Sequence, residues 1–583
     1  MIAATDGRRA HDPAGKPVIV FALLACVLAL RILHLSSALQ SPLSYQPGPD
    51  EDYYRRFGQA VAAGLGAHDP EFSFMDPGYG YLLGAVFKLV GANAFAVYLL
   101  QALVDTATAY GILVAGRLLR RPRAGLIGAL LYGVTSTAIM FCATLLKETC
   151  VASFLIWWIV AALAVQRTRH KLGWAAFGAL CGLGIALRST LGLLVPVALL
   201  LPGLGRPVAR PPGSAAGYAS TWIVSAACVA AGLALSLTPW SIRNYHAFGG
   251  LSPLPHNGGI VLDQVYNEQN PRSALWIPAF VNYSHPSEIW RGYSAEAERR
   301  VGHPLSLPEV DAYWRDQAFA FMRTHPGEVL ADVGRKSLAF LANAEVPNNR
   351  YSAEERLFSP LLAWLPTPTV WLLAMGLAGL VWLAMRDRRW PIVAAPIAIS
   401  WFTVAVFWAE DRFRFHAAPA LALLSGIWID GMVDSIRNFR QWRVLAVGLL
   451  APLIALGSLY LGREYPAPAV RWDHVIWGYI KMGKGDEARK LAARVATEQP
   501  DNGPVFEALG YLAAADGHYD EAVREYQRAI ALRPRSSVAH YNLAKAFLAL
   551  GDNQQAAVEA QRAIDLGFSS DAGELLRRAR GGS

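Results

Sequence analysis

Charge is scarce in this chain of 583 residues: 17% are Asp, Glu, Lys or Arg, where a soluble domain carries about 25%. Hydrophobic residues reach 54%, and they gather in repeated apolar blocks of about 20, the length that crosses a bilayer. That combination excludes an ordinary soluble enzyme and describes a polytopic helical membrane protein. Cysteine is sparse too. Cys26, Cys142, Cys150, Cys181 and Cys228 all lie in or beside apolar blocks and read as small core residues, not as a disulfide frame or a metal site. His246, His256 and His285 show no metal-ligand spacing. No phosphate-loop motif, dinucleotide fingerprint, zincin motif or nucleophile elbow occurs, so ATP-driven transport has no support. The net charge of +9 implies no nucleic-acid partner, because much of it lies in short loops between apolar blocks.

Eleven membrane spans are expected, at about 18–35, 93–117, 124–143, 149–165, 172–187, 190–203, 219–239, 369–385, 391–408, 413–430 and 444–461. The first is expected to stay in place and not to be cleaved as a signal peptide. When the loops are alternated, six basic sets fall on one side. They are Arg8/Arg9, Arg117/Arg120/Arg121/Arg123, Arg167/Arg169/Lys171, Arg206/Arg210, Arg386/Arg388/Arg389 and Arg437/Arg440/Arg443. This is the positive-inside pattern, which places residues 1–17 in the cytoplasm. The outer side then receives the loop 37–77, Lys147-Glu148, Arg188, a long loop over 239–368, residues 409–414 and the C-terminus. Two blocks, 79–91 and 328–342, read as helices lying along the outer interface.

Beyond the membrane part (18–461), residues 469–580 change to an Ala-rich, mixed-charge pattern with a period of 34. Gly483, Gly517 and Gly551 recur at that interval, as do Ala488, Ala522 and Ala556, and Val475, Leu509 and Leu543. Tyr519-Asp520-Glu521-Ala522, then Ala529 and Pro534, fits the tetratricopeptide pattern, with two clear repeats and a degenerate first one. Such an array suits contact with a protein partner or with the membrane part, and equally a purely structural cap.

The polar groups on the outer face are the candidates for chemistry. Asp50-Glu51-Asp52 opens a helix whose Tyr53, Tyr54 and Phe57 follow at helical spacing. One carboxylate there could act as general base, and three in a row could equally hold a divalent cation. Asp76, in Asp76-Pro77-Gly78-Tyr79-Gly80, reads as a cap or turn residue. Lys147-Glu148 has almost no loop around it. The pair is either a boundary salt bridge or a second acid converging on Asp50. Arg188, Arg243, Arg412 and Arg414 could each snorkel to headgroups; as a set, their planar forks suit a lipid-linked phosphate. Asn257-Gly258-Gly259 opens the long loop, where Trp276, Trp290 and Trp314 suggest a sugar-binding surface.

The ordered set Pro49-Asp50-Glu51-Asp52-Tyr53-Tyr54, Asp76-Pro77-Gly78-Tyr79, Leu146-Lys147-Glu148, 184–188, 239–245, 257–259 and Asp411-Arg412-Phe413-Arg414-Phe415 resembles the GT-C membrane glycosyltransferases. More narrowly, it resembles glycosyltransferase family 39 and the aminoarabinose-transferase-like proteins, over roughly residues 15–430. The resemblance implies an all-α polytopic GT-C fold in a bacterial inner membrane. It implies inverting transfer from a polyprenyl-phosphate-linked sugar to a lipid, glycan or protein acceptor on the outer side. Asp50 would be the general base and Glu148 the second acid. Arg412, with Arg243, would hold the phosphate, while Glu51, Tyr54, Lys147, Arg188, Asn257 and Arg414 complete the substrate surface. Phe413 departs from the family's usual Tyr, which is tolerable if the ring only packs. Metal use differs within the class, leaving Asp50, Glu51 and Asp52 as a cation option. An O-antigen ligase or polymerase using a lipid-pyrophosphate donor is the nearest rival reading. A transporter is a more distant one, since its charges would sit at mid-membrane.

Overall fold

A computed structural model describes residues 16–65, 70–168, 170–204, 215–270, 276–281, 286–365, 369–437, 442–465, 468–568 and 570–581. Arg8, Arg9, Arg169, Arg206, Arg210, Arg440 and His285 lie outside them. Every regular element among the described residues is helical, as expected. The chain forms two compact units. One comprises Met1–Ser37 and Pro49–Pro468, the other Ala38–Gly48 and Ala469–Ser583.

In the first unit the helices are α1 (Pro17–Ala38), α2 (Pro49–Ala62), α3 (Pro77–Val90), α4 (Ala94–Leu118), α5 (Pro122–Gly133), α6 (Ser136–Phe141), α7 (Glu148–Val165), α8 (Lys171–Leu187), α9 (Leu194–Leu204) and α10 (Ala215–Phe248). The long loop follows with α11 (Gly258–Val265), α12 (Pro286–Val301), α13 (Leu307–Thr324), α14 (Pro326–Leu341), α15 (Ser352–Phe358) and α16 (Pro360–Trp364). The chain then runs through α17 (Thr369–Ala384), α18 (Trp390–Val406), α19 (Asp411–Phe415), α20 (Ala418–Arg437) and α21 (Trp442–Gly462).

Among the described residues, five helices are long and apolar enough to cross a membrane: Pro17–Ala38, Ala94–Leu118, Glu148–Val165, Trp222–Phe248 and Ala418–Ile436. Five shorter apolar helices accompany them, within α8, α9, α17, α18 and α21. The block expected as one span over 124–143 is instead divided between α5 and α6. Thr135 takes up an extended conformation there (φ −71°, ψ 113°), and Arg31 donates to the carbonyl of Gly133 that the break frees. The break expected at Pro239 does not occur: α10 continues to Phe248, as membrane helices tolerate an internal proline.

The apolar faces of α4, α5, α7, α8, α17, α18 and α20 meet in one large core. Inside it lies a charged group that hydropathy concealed. Arg31 and Asp105 are both fully buried, with Nε donating to Oδ2 at 2.8 Å, and the Tyr132 hydroxyl donates to the other oxygen of Asp105. Charge buried this deeply must be paired, and here it is.

Helices α11, α12 and α13 build a smaller core from Ile260, Ile289, Tyr293, Ala297, Val310 and Trp314. Trp314 therefore serves packing: its indole N–H donates to the Tyr293 carbonyl (3.0 Å) and its ring stacks on Phe280.

The second unit is the repeat array, with α22 (Trp472–Lys481), α23 (Gly485–Glu498), α24 (Gly503–Ala515), α25 (Tyr519–Leu532), α26 (Ser537–Ala549), α27 (Asn553–Asp565) and α28 (Ser570–Ala579). Gly483, Gly517 and Gly551 close the first helix of each pair at φ 74°, 82° and 82°, a conformation that favours glycine. Ala488, Ala522 and Ala556 are completely buried where the paired helices meet.

Candidate functional site

Three acids fall in the first turn of α2, behind Pro49 at its first position, where the helix dipole favours negative charge. The opposite face of α2 fixes the helix in place. Tyr53, Tyr54 and Phe57 are buried; Phe57 stacks on Phe72 with centroids 4.8 Å apart, and Tyr54 meets Tyr79 edge-on at 5.0 Å. The acids then point to different partners. Asp50 accepts from Arg412 Nη1 at 2.6 Å and from Asn349 Nδ2 at 2.8 Å. Glu51 is buried in a two-pronged bridge with Arg350, at 2.9 and 2.8 Å, and Arg350 also binds Glu355. Asp52 pairs with Arg55 and Arg56 of its own helix.

Asp50 lines a cavity of about 270 Å³. Tyr54, Lys147, Glu148, Arg188, Asn257 and Arg412 line it as well, brought there by α2, α7, the end of α8, the start of α11 and α19. Glu148 is the first residue of α7 and is almost wholly buried. Its Oε1 lies 3.9 Å from Arg412 Nε and 4.0 Å from Arg188 Nη1, and its Oε2 has no hydrogen-bond partner among the described residues. Phe413 packs between the two arginines: the Arg188 guanidinium lies 4.4 Å and that of Arg412 4.9 Å from its ring centre. The ring thus only packs, which suits the departure from tyrosine.

Asp76 belongs to this cavity, a role its Asp-Pro context hid. Its carboxylate binds Lys147 Nζ and accepts from the Ser189 backbone at 3.0 Å and from the Ser189 hydroxyl. Glu410 was also missed. It takes Arg412 Nε at 2.5 Å and Asn348, so Arg412 is strung between Glu410 and Asp50. Burial would lower the pKa of Arg412, but Glu410, Asp50 and Glu148 outweigh it and push it up. Burial raises Glu410 despite Arg412 and Asn348. Lys147 is pushed down by burial, against the pull of Asp76. His416 is held well below its ordinary value by burial and by Arg188, Lys147 and Arg412, so it stays neutral behind the cations.

Arg243 and Arg414 stand elsewhere, and neither lines the cavity. Arg243 donates to the Phe72 carbonyl (3.3 Å) and sits among the rings of Phe57, Tyr81 and Phe248. Arg414 binds Asp411 and the carbonyls of Ala339 and Ala342 at the end of α14. Trp276, Trp290 and Trp314 do not line the cavity either; Trp408 does. The residues at 50–52 do not fit a divalent cation, since each acid already faces a different arginine set. Among the described residues, no three His, Cys, Asp or Glu side chains are grouped to hold a metal.

Residues 72–234 match the model of the dolichyl-phosphate-mannose-protein mannosyltransferase family, and residues 510–551 match a tetratricopeptide repeat. The first match lies within the membrane unit and spans less than a third of the chain. The apolar helices are those of a membrane protein, and the tail carries a tetratricopeptide repeat. Among solved structures, the oligosaccharyltransferase of Archaeoglobus fulgidus, tethered with an acceptor peptide, aligns at 14% identity and a TM-score of 0.44. That alignment covers 81% of this chain and 59% of that one. The same archaeal enzyme in complex with an inhibitory peptide and a dolichol-phosphate aligns at 14% identity and 0.42, covering 80% and 59%. Among curated proteins, anaphase-promoting complex subunit 3 of Schizosaccharomyces pombe is 31% identical over 84 residues, 14% of this chain and 13% of that protein.

Proposed function

We propose that this protein transfers a sugar, with inversion, from a polyprenyl-phosphate-linked donor to an acceptor hydroxyl or amine at the outer face of a bacterial inner membrane. The supporting observation is the meeting of Asp50 and Arg412 in one cavity with Glu148, Arg188 and Lys147. Three carboxylates (Asp50, Asp76, Glu148) there face three cations (Lys147, Arg188, Arg412), so the cavity carries no net excess of either sign. A single lipid phosphate would compete with the carboxylates for the cations. By drawing Arg412 Nη1 away, it leaves Asp50 Oδ2 with only the neutral Asn349 amide of these two donors, and the carboxylate becomes more basic once the donor is in place.

The acceptor oxygen or nitrogen then attacks the anomeric carbon as its proton passes to Asp50. The bond from that carbon to the phosphate oxygen breaks, and the polyprenyl phosphate leaves with the electron pair, held by Arg412, Arg188 and Lys147. Ile277, Ile289, Phe407 and Trp408 supply an apolar wall that limits water. Outer-face placement follows from the positive-inside pattern. Mass spectrometry of envelope lipids and glycans, with and without this protein, tests the proposal. A sugar modification lost with the protein is expected; an unchanged envelope would contradict it.

A further inference from the structure

Residues 38–48 precede the α2 acids directly, yet they pack as part of the tail unit. Within this stretch, Pro42–Ser44 form a tight turn. Ser41 Oγ accepts from the Leu43 N–H at 3.2 Å, and the Ser44 hydroxyl donates to the Ala38 carbonyl at 2.6 Å. Ser41, Pro42 and Leu43 are buried. The turn lies on α22, the first helix of the array.

The repeat register identifies what admits it. The residues 34 and 68 positions after Gly478 are Leu512 and Ala546, both buried inside the array. Gly478 is thus the smallest residue at its register position, and a Cβ there would overlap the carbonyl of Pro42. In a stacked array each repeat covers its neighbour, and the terminal ones need a cap. The first repeat has no predecessor; the turn at 42–44 stands where one would be.

We propose that residues 38–48 are the N-terminal cap of the repeat array, bound in cis, so that the tail grips the stretch of chain that leads into Pro49 and Asp50. The array's first binding face is then filled by the protein itself, and the tail is fastened at two points in the sequence, 38–48 and the linker at 462–468. Loosening the cap frees the start of α2 and lowers turnover, a consequence that rests on the transfer reaction proposed above. The docking itself does not.

The test uses the full-length, detergent-solubilised protein with a protease site inserted between Tyr465 and Ala469. After cleavage, the wild-type tail should stay with the membrane unit through gel filtration. Gly478→Val should release it, with retention falling at least about 10-fold, equivalent to about 1.4 kcal/mol. Leu43→Asp lies outside the repeats and should release a tail of unchanged helicity, which decides the matter if Gly478→Val misfolds. A wild-type tail that falls away on cutting, or one that Leu43→Asp leaves bound, would overturn the proposal. Transfer activity, read separately on the uncut variants, should drop several-fold. Release without any drop would confine the cap to holding the tail and remove its link to Asp50.

Discussion

Two of the charge clusters in the membrane unit, around Arg31 and around Arg412, differ in their surroundings. Around Arg31 the guanidinium meets Asp105, Asp105 meets Tyr132, and Arg31 also takes the Gly133 carbonyl, and both charged side chains are fully buried. Around Arg412 the charges are less completely buried and line a cavity, and Glu148 Oε2 has no hydrogen-bond partner among the described residues. A closed network fixes a fold. A network with open valence beside a cavity is poised to exchange partners when a charged substrate arrives.

The two clusters should therefore fail differently. Asp50→Asn should lower transfer by about 10²–10⁴-fold, the usual loss for a general base, while the protein's melting temperature stays unchanged. Asp105→Ala should do the reverse, costing about 3–5 kcal/mol of stability by leaving Arg31 buried without a counter-charge; a melting curve in detergent reads it, and unchanged stability would contradict the closed-network reading. Arg412→Lys keeps the charge but loses the fork that reaches Glu410 and Asp50. Donor KM should rise about 10-fold with a smaller change in kcat; a KM equal to wild type would remove Arg412 from the phosphate site.

The smallest effect concerns pH, in the helices of the long loop. Burial raises the Asp263 carboxyl to about 7, partly offset by Tyr293 and Arg300. The folded state then holds a proton that the unfolded chain releases near its ordinary value, so stability falls as pH rises from about 4 to about 7. Asp263→Asn should flatten that slope in a pH series of melting temperatures. An unchanged slope would mean that another group carries it.

Much of the site was legible because its residues sit in short polar interruptions of apolar sequence. Asp50, Lys147-Glu148, Arg188 and Arg412 each mark a helix end, and alternation of the spans put those ends on one side. What pattern could not show was partnering at a distance. Glu51 looked equal to Asp50, but Arg350, 299 residues away, claims it. Arg243 and Arg414 resembled Arg412 until aromatic rings and backbone carbonyls proved to hold them. Asp76 was hidden by its Asp-Pro context, and Arg31 and Asp105 were diluted by apolar neighbours in a hydropathy window. The period of 34 revealed the tail, yet its hold on residues 38–48 depends on Gly478, where the first repeat departs from the others.

The most direct measurement compares envelope glycans and lipids from cells carrying the wild-type protein with those from cells carrying Asp50→Asn at equal membrane levels. The account predicts a sugar modification present with the wild type and absent with Asp50→Asn. The same modification at wild-type abundance in both would contradict it.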